Sequence, residues 1–212
     1  MKKIILITAL LLPALFVKAQ GSDKKADEIL DRVSKKMQNY QTLRIEFTYI
    51  MENTEEKIKE SKQGSIYVEG EKYRLYIADQ MVISDGVTVW TYFRDANEVQ
   101  INDADPDDEN TPMKMLTAYN KNYKSKLIRE MPKGGKTIII IDLTPNKTQS
   151  FYKIRIEIDK AKDMISSSTI YDKNGSTFTY VVDRFHENPR IHPSRFTFNP
   201  ADYPGVIVTD MR

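Results

Sequence analysis

The chain has no cysteine in its 212 residues. That excludes disulfides, a thiol nucleophile, thiolate metal ligation and a cysteine-linked lipid anchor of its own. It has two histidines, His186 and His192. Both sit beside prolines in one connecting segment, and their spacing fits no zinc motif. The eight glycines form no phosphate loop, no dinucleotide fingerprint and no Gly-x-Ser-x-Gly elbow; Gly134-Gly135 belongs to a turn. No catalytic residue, cofactor site or metal site is expected. The acidic run Asp103, Asp105, Asp107, Asp108, Glu109 fails the calcium-loop template, because Asp108 stands where Gly is needed and Lys114 where the bidentate Glu is needed. It reads as a solvated loop.

Long hydrophobic runs are also scarce. The one present, Ile4 to Val17, falls short of the ~20 residues that span a bilayer. Lys2 and Lys3 precede it and Val17-Lys18-Ala19 follows, the layout of a signal peptide cleaved before Gln20. Residues 1–19 are therefore expected to be removed on export, leaving residues 20–212 as one soluble domain. Their loss takes Lys2, Lys3 and Lys18 with it and turns a formal charge of +2 into −1. A nucleic-acid footprint is not expected from such a balance.

The remaining chain is rich in strand signals. One amphipathic helix is expected over about 24–40, because Ala26, Ile29, Leu30, Val33, Met37 and Tyr40 recur at three and four; Ser22 and Asp23 are its candidate caps. Leu43, Ile45, Phe47, Tyr49 and Met51 then alternate with polar residues, the period of a half-buried strand. Strands follow at 57–69 and 73–77. Met81-Val82-Ile83-Ser84-Asp85-Gly86-Val87-Thr88-Val89-Trp90-Thr91-Tyr92 reads as a hairpin, since Asp-Gly between two β-rich runs supplies the turn. Further strands are expected at 97–101, 124–131, 136–143, 151–159, 164–171 and 176–185, and near 195–198 and 205–209. Thr111-Pro112 marks the start of a short helix from Met113 to about Tyr119.

About ten strands and two helices imply a mainly β fold with some α. The expected form is a curved antiparallel sheet, an unclosed β-barrel, with a helical lid over its face. A cavity between sheet and lid suits an apolar ligand. Twelve tyrosines, eight phenylalanines and nine methionines supply adaptable walls for one. Phe47, Tyr49, Tyr73, Tyr76, Tyr92, Met81, Met113 and Met115, together with the single tryptophan Trp90, fall on expected strands or on the short helix.

Several motifs carry a family resemblance. The hairpin at 81–92 resembles the "lvSDGktlWiY" hairpin of the LolA family of periplasmic lipoprotein carriers. Arg44-Ile45-Glu46-Phe47-Thr48 resembles that family's first strand, and Gly64-Ser65-Ile66-Tyr67-Val68 its "GxlWv" strand. Asn110-Thr111-Pro112-Met113 resembles its "NTP" lead into the central helix. Phe196-Thr197-Phe198-Asn199-Pro200 with Gly205-Val206 resembles its "FtFtPpxGv" ending. The resemblance implies a periplasmic carrier that binds lipoprotein acyl chains, takes them from an inner-membrane release complex and passes them to an outer-membrane acceptor. It implies a monomer without catalytic activity. On this reading Phe47, Tyr49, Leu75, Met81, Ile83, Met113 and Leu116 are expected to face the cavity. The pattern departs at one place: Glu69-Gly70-Glu71-Lys72 stands where the family carries Lys-Arg-Pro, whose Arg is implicated in holding the lid. A carrier or sensor for another lipid or glycolipid is the alternative on the same scaffold; an enzyme acting on an apolar substrate is a weaker one.

Overall fold

The computed structural model describes residues 23–106, 114 and 122–212. They form α1 (Lys24–Gln38) and twelve strands. The first six are β1 (Thr42–Asn53), β2 (Ile58–Glu69), β3 (Lys72–Ile77), β4 (Gln80–Ser84), β5 (Thr88–Phe93) and β6 (Glu98–Asp103). The rest are β7 (Tyr123–Lys133), β8 (Lys136–Pro145), β9 (Phe151–Asp159), β10 (Met164–Asp172), β11 (Ser176–Glu187) and β12 (Ile207–Asp210). All twelve lie in one unclosed, curved sheet, in the order β12-β6-β5-β4-β3-β2-β1-β11-β10-β9-β8-β7. Every pairing is antiparallel except β12 with β6.

The local chemistry explains the elements. The Asp85 carboxylate accepts hydrogen bonds from the backbone N–H groups of Val87 (2.9 Å) and Thr88 (2.8 Å), and Gly86 takes φ +92°, so the β4–β5 turn closes without a Cβ clash. Asp23 caps α1 by accepting from Lys25 N at 3.0 Å, and its second carboxylate oxygen accepts from Leu127 N at 3.3 Å. The Asp23 N–H donates to Ser125 O at 2.9 Å. One residue thus starts the helix and ties it to the edge strand β7. The far end is held by Lys36 Nζ on Lys162 O (2.7 Å) and by Arg32 with Asp163 (3.3 Å).

The segment near 195–198, expected as a strand, is instead a 3-10 turn, Pro193–Phe196. Pro193 sets the backbone at the first position, and the His192 ring nitrogen accepts from Ser194 N at 3.3 Å. Phe196 and Phe198 are buried all the same, which is why they mimic strand alternation. Apart from Lys114, the short helix expected from Met113 to Tyr119 lies outside the described residues, as does the segment 1–19.

Register assigns the two faces of the sheet. Ile139, Ile141 and Leu143 on β8 and Ile156 and Ile158 on β9 receive Ala26, Ile29, Leu30 and Val33 of α1. Cross-strand pairing carries that face onward through Ile154–Ile170, Ser168–Tyr180 and Tyr49–Tyr180 to β1, then through Ile45–Ile66 and Ile66–Leu75 to β3. The opposite face is charged at the β8–β9 end, where Arg155 forks onto Asp142 at 2.7 and 2.9 Å. Towards β4–β6 it is covered by residues 196–206, with Met81, Ile83, Val99 and Phe198 buried there.

Leu30 is fully buried between α1 and the sheet, whereas Val87 is 71% exposed. Leu30→Ala is expected to cost about 2–5 kcal/mol, and Val87→Ala less than about 0.5 kcal/mol, as read by chemical denaturation of each variant.

Candidate functional site

α1 packs on the β7–β9 part of its face. Beyond it, β11, β1, β2 and β3 present a trough with a buried floor and half-buried aromatic and aliphatic walls. Leu43, Ile45, Phe47, Ile66 and Val68 form its floor, with Tyr49, Tyr73, Leu75, Ile77, Tyr180, Val182 and Phe185 packed against them. The rings meet at a tilt: Phe47 and Tyr180 have centroids 5.9 Å apart, and Tyr49 and Tyr180 5.4 Å. Phe178 stacks on Tyr49 at 6.4 Å, and Tyr40 tilts onto Phe185 at 5.7 Å where α1 gives way to β1.

Gly64 shapes the trough. It pairs directly with Phe47 across β1 and β2. A Cβ here would strike the Phe47 ring and come within 2.8 Å of the Tyr76 carbonyl oxygen. The missing side chain is what lets the ring lie down against the sheet.

The β1–β11 register shifts between Glu46 and Phe47. Ile45 pairs with Phe185 while Phe47 pairs with Val182, so Asp183 and Arg184 fall between two inward-facing residues. Asp183 turns to Thr48, whose hydroxyl donates to it at 2.8 Å, and Arg184 lies 3.6 Å from Glu46.

The polar groups among the aromatic side chains of the trough are phenols. Burial raises the pKa of Tyr180, with a smaller contribution from Tyr49 beside it. Burial is also the main cause of the rise at Tyr49, followed by the nearby Glu60 carboxylate. Tyr40 is pushed up to about 12, first by burial and then by its hydrogen bond to Glu187 at 2.8 Å. All three favour the neutral phenol; charge enters at the end of the face beyond Tyr49, where Lys62 lies opposite Tyr49 and Glu60 opposite Met51. Among the described residues no group of three or more His, Asp or Glu is placed to hold a metal ion.

Of the residues expected to face one cavity, the structure brings Phe47, Tyr49 and Leu75 together. It places Met81 and Ile83 in the separate cluster on the opposite face. Pairing decides this: Leu75 lies opposite Val82, whereas Met81 lies opposite Tyr76 and Ile83 opposite Arg74. Met113 and Leu116 lie outside the described residues. Sequence reasoning missed Tyr40, Phe178, Tyr180, Val182 and Phe185. The alternation Phe178, Tyr180, Val182 was the available signal, but nothing local says that β11 lies beside β1.

A family model described as outer membrane lipoprotein carrier protein LolA matches residues 38–199. The chain is 25% identical over its full length to the outer-membrane lipoprotein carrier protein of Histophilus somni, covering 99% of that protein. It is 24% identical to the protein of the same description from Nitrosomonas europaea over 60% of this chain, and that match spans 62% of the relative's length. Among solved structures, an uncharacterized conserved protein from Thermus thermophilus is similar in fold, with a TM-score of 0.60 at 15% identity, covering 88% of this chain and 99% of that one.

Two expectations follow. Gly64→Ala should displace the Phe47 ring and cost about 1–3 kcal/mol through overpacking, visible as a change in near-ultraviolet circular dichroism and a lower denaturation midpoint. Tyr40 should ionise near 12 in the folded protein against 10.0 in the unfolded chain. Its contribution to stability is then complete below the unfolded value and is lost as pH rises through the folded one. Phenolate absorbance checks this: Glu187→Gln should move that midpoint downward only in part, since burial remains.

Proposed function

The chain belongs to the LolA family of outer-membrane lipoprotein carrier proteins, and from that membership we propose that it is a periplasmic carrier holding lipoprotein acyl chains in the β11–β1–β2–β3 trough. The observation that carries the reading is the trough itself. Half-buried Tyr49, Tyr73, Leu75, Ile77, Tyr180, Val182 and Phe185 lie over a buried floor of Leu, Ile, Val and Phe beyond the part of the face that α1 packs on, and supply apolar surface for an acyl chain. Each CH₂ moved there from water contributes ~0.8 kcal/mol, so part of one acyl chain suffices for firm retention. No chemical step is required. Release follows when an acceptor binds the acyl chains better than the trough does.

In this reading residues 1–19 direct export and are removed. The cargo comes from an inner-membrane release complex and leaves to an outer-membrane acceptor, and the carrier works as a monomer. Phe47, Tyr49 and Leu75 are its ligand-binding residues, joined by Tyr180. Their neutral phenols suit ester and amide carbonyls at the head of an acyl chain.

A second reading, a carrier or sensor for another lipid or glycolipid, is favoured by one observation. The β2–β3 turn reads Glu69-Gly70-Glu71-Lys72, with Gly70 at φ +59°. It thus offers two carboxylates and a flexible corner where the family resemblance leads one to expect Lys-Arg-Pro.

Native mass spectrometry and lipid extraction of the protein from its own periplasm separate the readings. A triacylated lipoprotein bound one-to-one is the expected result, and a non-protein lipid would replace the first reading by the second. Leu75→Glu should lower the bound fraction at least about tenfold, because the ~1.4 kcal/mol this needs is less than the cost of burying a carboxylate against acyl chains. Retention of full occupancy by that variant would remove the trough as the binding site.

A further inference from the structure

The face turned away from the trough carries a concave site of different chemistry. On β3, Arg74 lies opposite Tyr67 of β2, and Tyr67 lies opposite Arg44 of β1. The segment 192–203 crosses over this row and encloses a half-open cleft of about 520 Å³. Arg74 and Arg195 line it, with the hydroxyls of Ser194, Thr197 and Tyr203.

Arg74 is held unusually for a half-buried guanidinium. Its Nη1 donates to the Arg195 carbonyl oxygen at 3.1 Å. Its Nη2 donates to the Tyr203 hydroxyl at 3.4 Å, and Nε and Nη2 both reach the Met81 sulfur, at 3.3 and 3.1 Å. All of these acceptors are neutral, and a thioether is a weak one. They fix the orientation of the guanidinium without balancing its charge. The Arg195 guanidinium stacks 4.3 Å from the centre of the Tyr67 ring. Among the described residues no carboxylate lies within ion-pair distance of Arg74 or Arg195. The cleft does contain Asp202, which accepts from the Asn199 side-chain amide at 3.2 Å.

Other partly buried arginines of this sheet do have carboxylates: Arg155 has Asp142 and Arg44 has Glu46. A desolvated cation without a counter-charge is costly, and an anionic ligand removes that cost. Guanidinium groups pair in forked geometry with carboxylates and phosphates. Two such groups and several hydroxyls converging from different directions match the oxygens of a tetrahedral phosphoryl group, which do not share one plane with its substituents, better than the two coplanar oxygens of a carboxylate. The Tyr203 hydroxyl supports this, since its acceptor is the Met81 sulfur at 3.8 Å, a contact a phosphate oxygen would readily replace.

We propose that the Arg74–Arg195 cleft is a binding site for a phosphoryl group, carried by a phospholipid headgroup or by a free phosphorylated solute, on the face of the sheet opposite the acyl trough. The site is independent of what the trough carries. Arg195 is the residue to change, because its side chain faces the ligand while its backbone carbonyl continues to hold Arg74.

The test is a titration of the mature protein with sodium phosphate at constant ionic strength, following the amide chemical shifts of residues 192–203. It is paired with co-sedimentation on phosphatidylglycerol and phosphatidylcholine vesicles. The expected result is a saturable response that Arg195→Gln abolishes, with an unchanged melting temperature, and that Arg195→Lys restores in part. Acetate should bind at least about tenfold more weakly than phosphate, a gap well above measurement error. Arg195-dependent pelleting with the anionic vesicles identifies the headgroup as the source; a phosphate response without vesicle binding identifies a free solute. The proposal is overturned if neither phosphate nor the anionic vesicles bind in an Arg195-dependent way, or if acetate matches phosphate.

Discussion

The pairing of β1 with β11 is the contact on which the rest of the molecule depends. It joins Leu43–Asn53 to residues more than a hundred positions later, and it fuses two runs of local hairpins into one sheet. On one side lie β2 to β6, each paired with its predecessor; on the other lie β7 to β10, paired in the same way. Those runs form from near neighbours at low loop-closure cost, whereas the β1–β11 seam must close a long loop. Its register has to be right, because a slip of one residue would turn every trough-facing side chain to the other face. The shift at Glu46/Phe47 belongs to this requirement: it lets Phe185 and Val182, three positions apart, both point into the trough.

The seam also explains why the two faces differ. On one, α1 seals the β8–β9 end with close-packed Ile and Leu, and the aromatic strip from β11 to β3 continues that apolar surface without the helix. On the other, the C-terminal crossing from His192 to Val206 brings Phe196, Phe198 and Tyr203 onto β3–β6, and with them a polar cleft around Arg74. The Tyr92, Phe198 and Tyr203 rings, 4.5–5.7 Å apart, hold the crossing in place. The trough proposed for acyl chains and the cleft proposed for a phosphoryl group thus lie on opposite sides of a single layer, with no side chain shared.

Much of this was legible along the chain, because strand alternation, helix periodicity and turn chemistry are local. Asp85-Gly86 announced its hairpin, and the spacing of Ile29, Leu30 and Val33 announced the buried face of α1. Phe47, Tyr49 and Leu75 share one face, as their alternation implies, because each sits in a clean alternating strand next to its sequence neighbours. Met81 and Ile83 were grouped with them because β4 reads Met-Val-Ile-Ser, apolar on both faces, and period two cannot choose between them. Tyr180 and Phe185 escaped notice for a different reason: their value lies in the strand beside them, which is distant in sequence.

The sequence by itself determined the antiparallel β-rich architecture, the helix with a cap at Ser22 or Asp23, and the lack of cysteine chemistry. These follow from side-chain period, capping and composition, all of which act over a few residues. Only the tertiary structure decided which face each strand turns to which partner, that Gly64 makes room for the Phe47 ring, and that Arg74 meets the Arg195 carbonyl rather than a carboxylate. Such relations are set by the register of strands far apart in the chain, and register is an outcome of the whole sheet assembling, since no strand fixes its own partner.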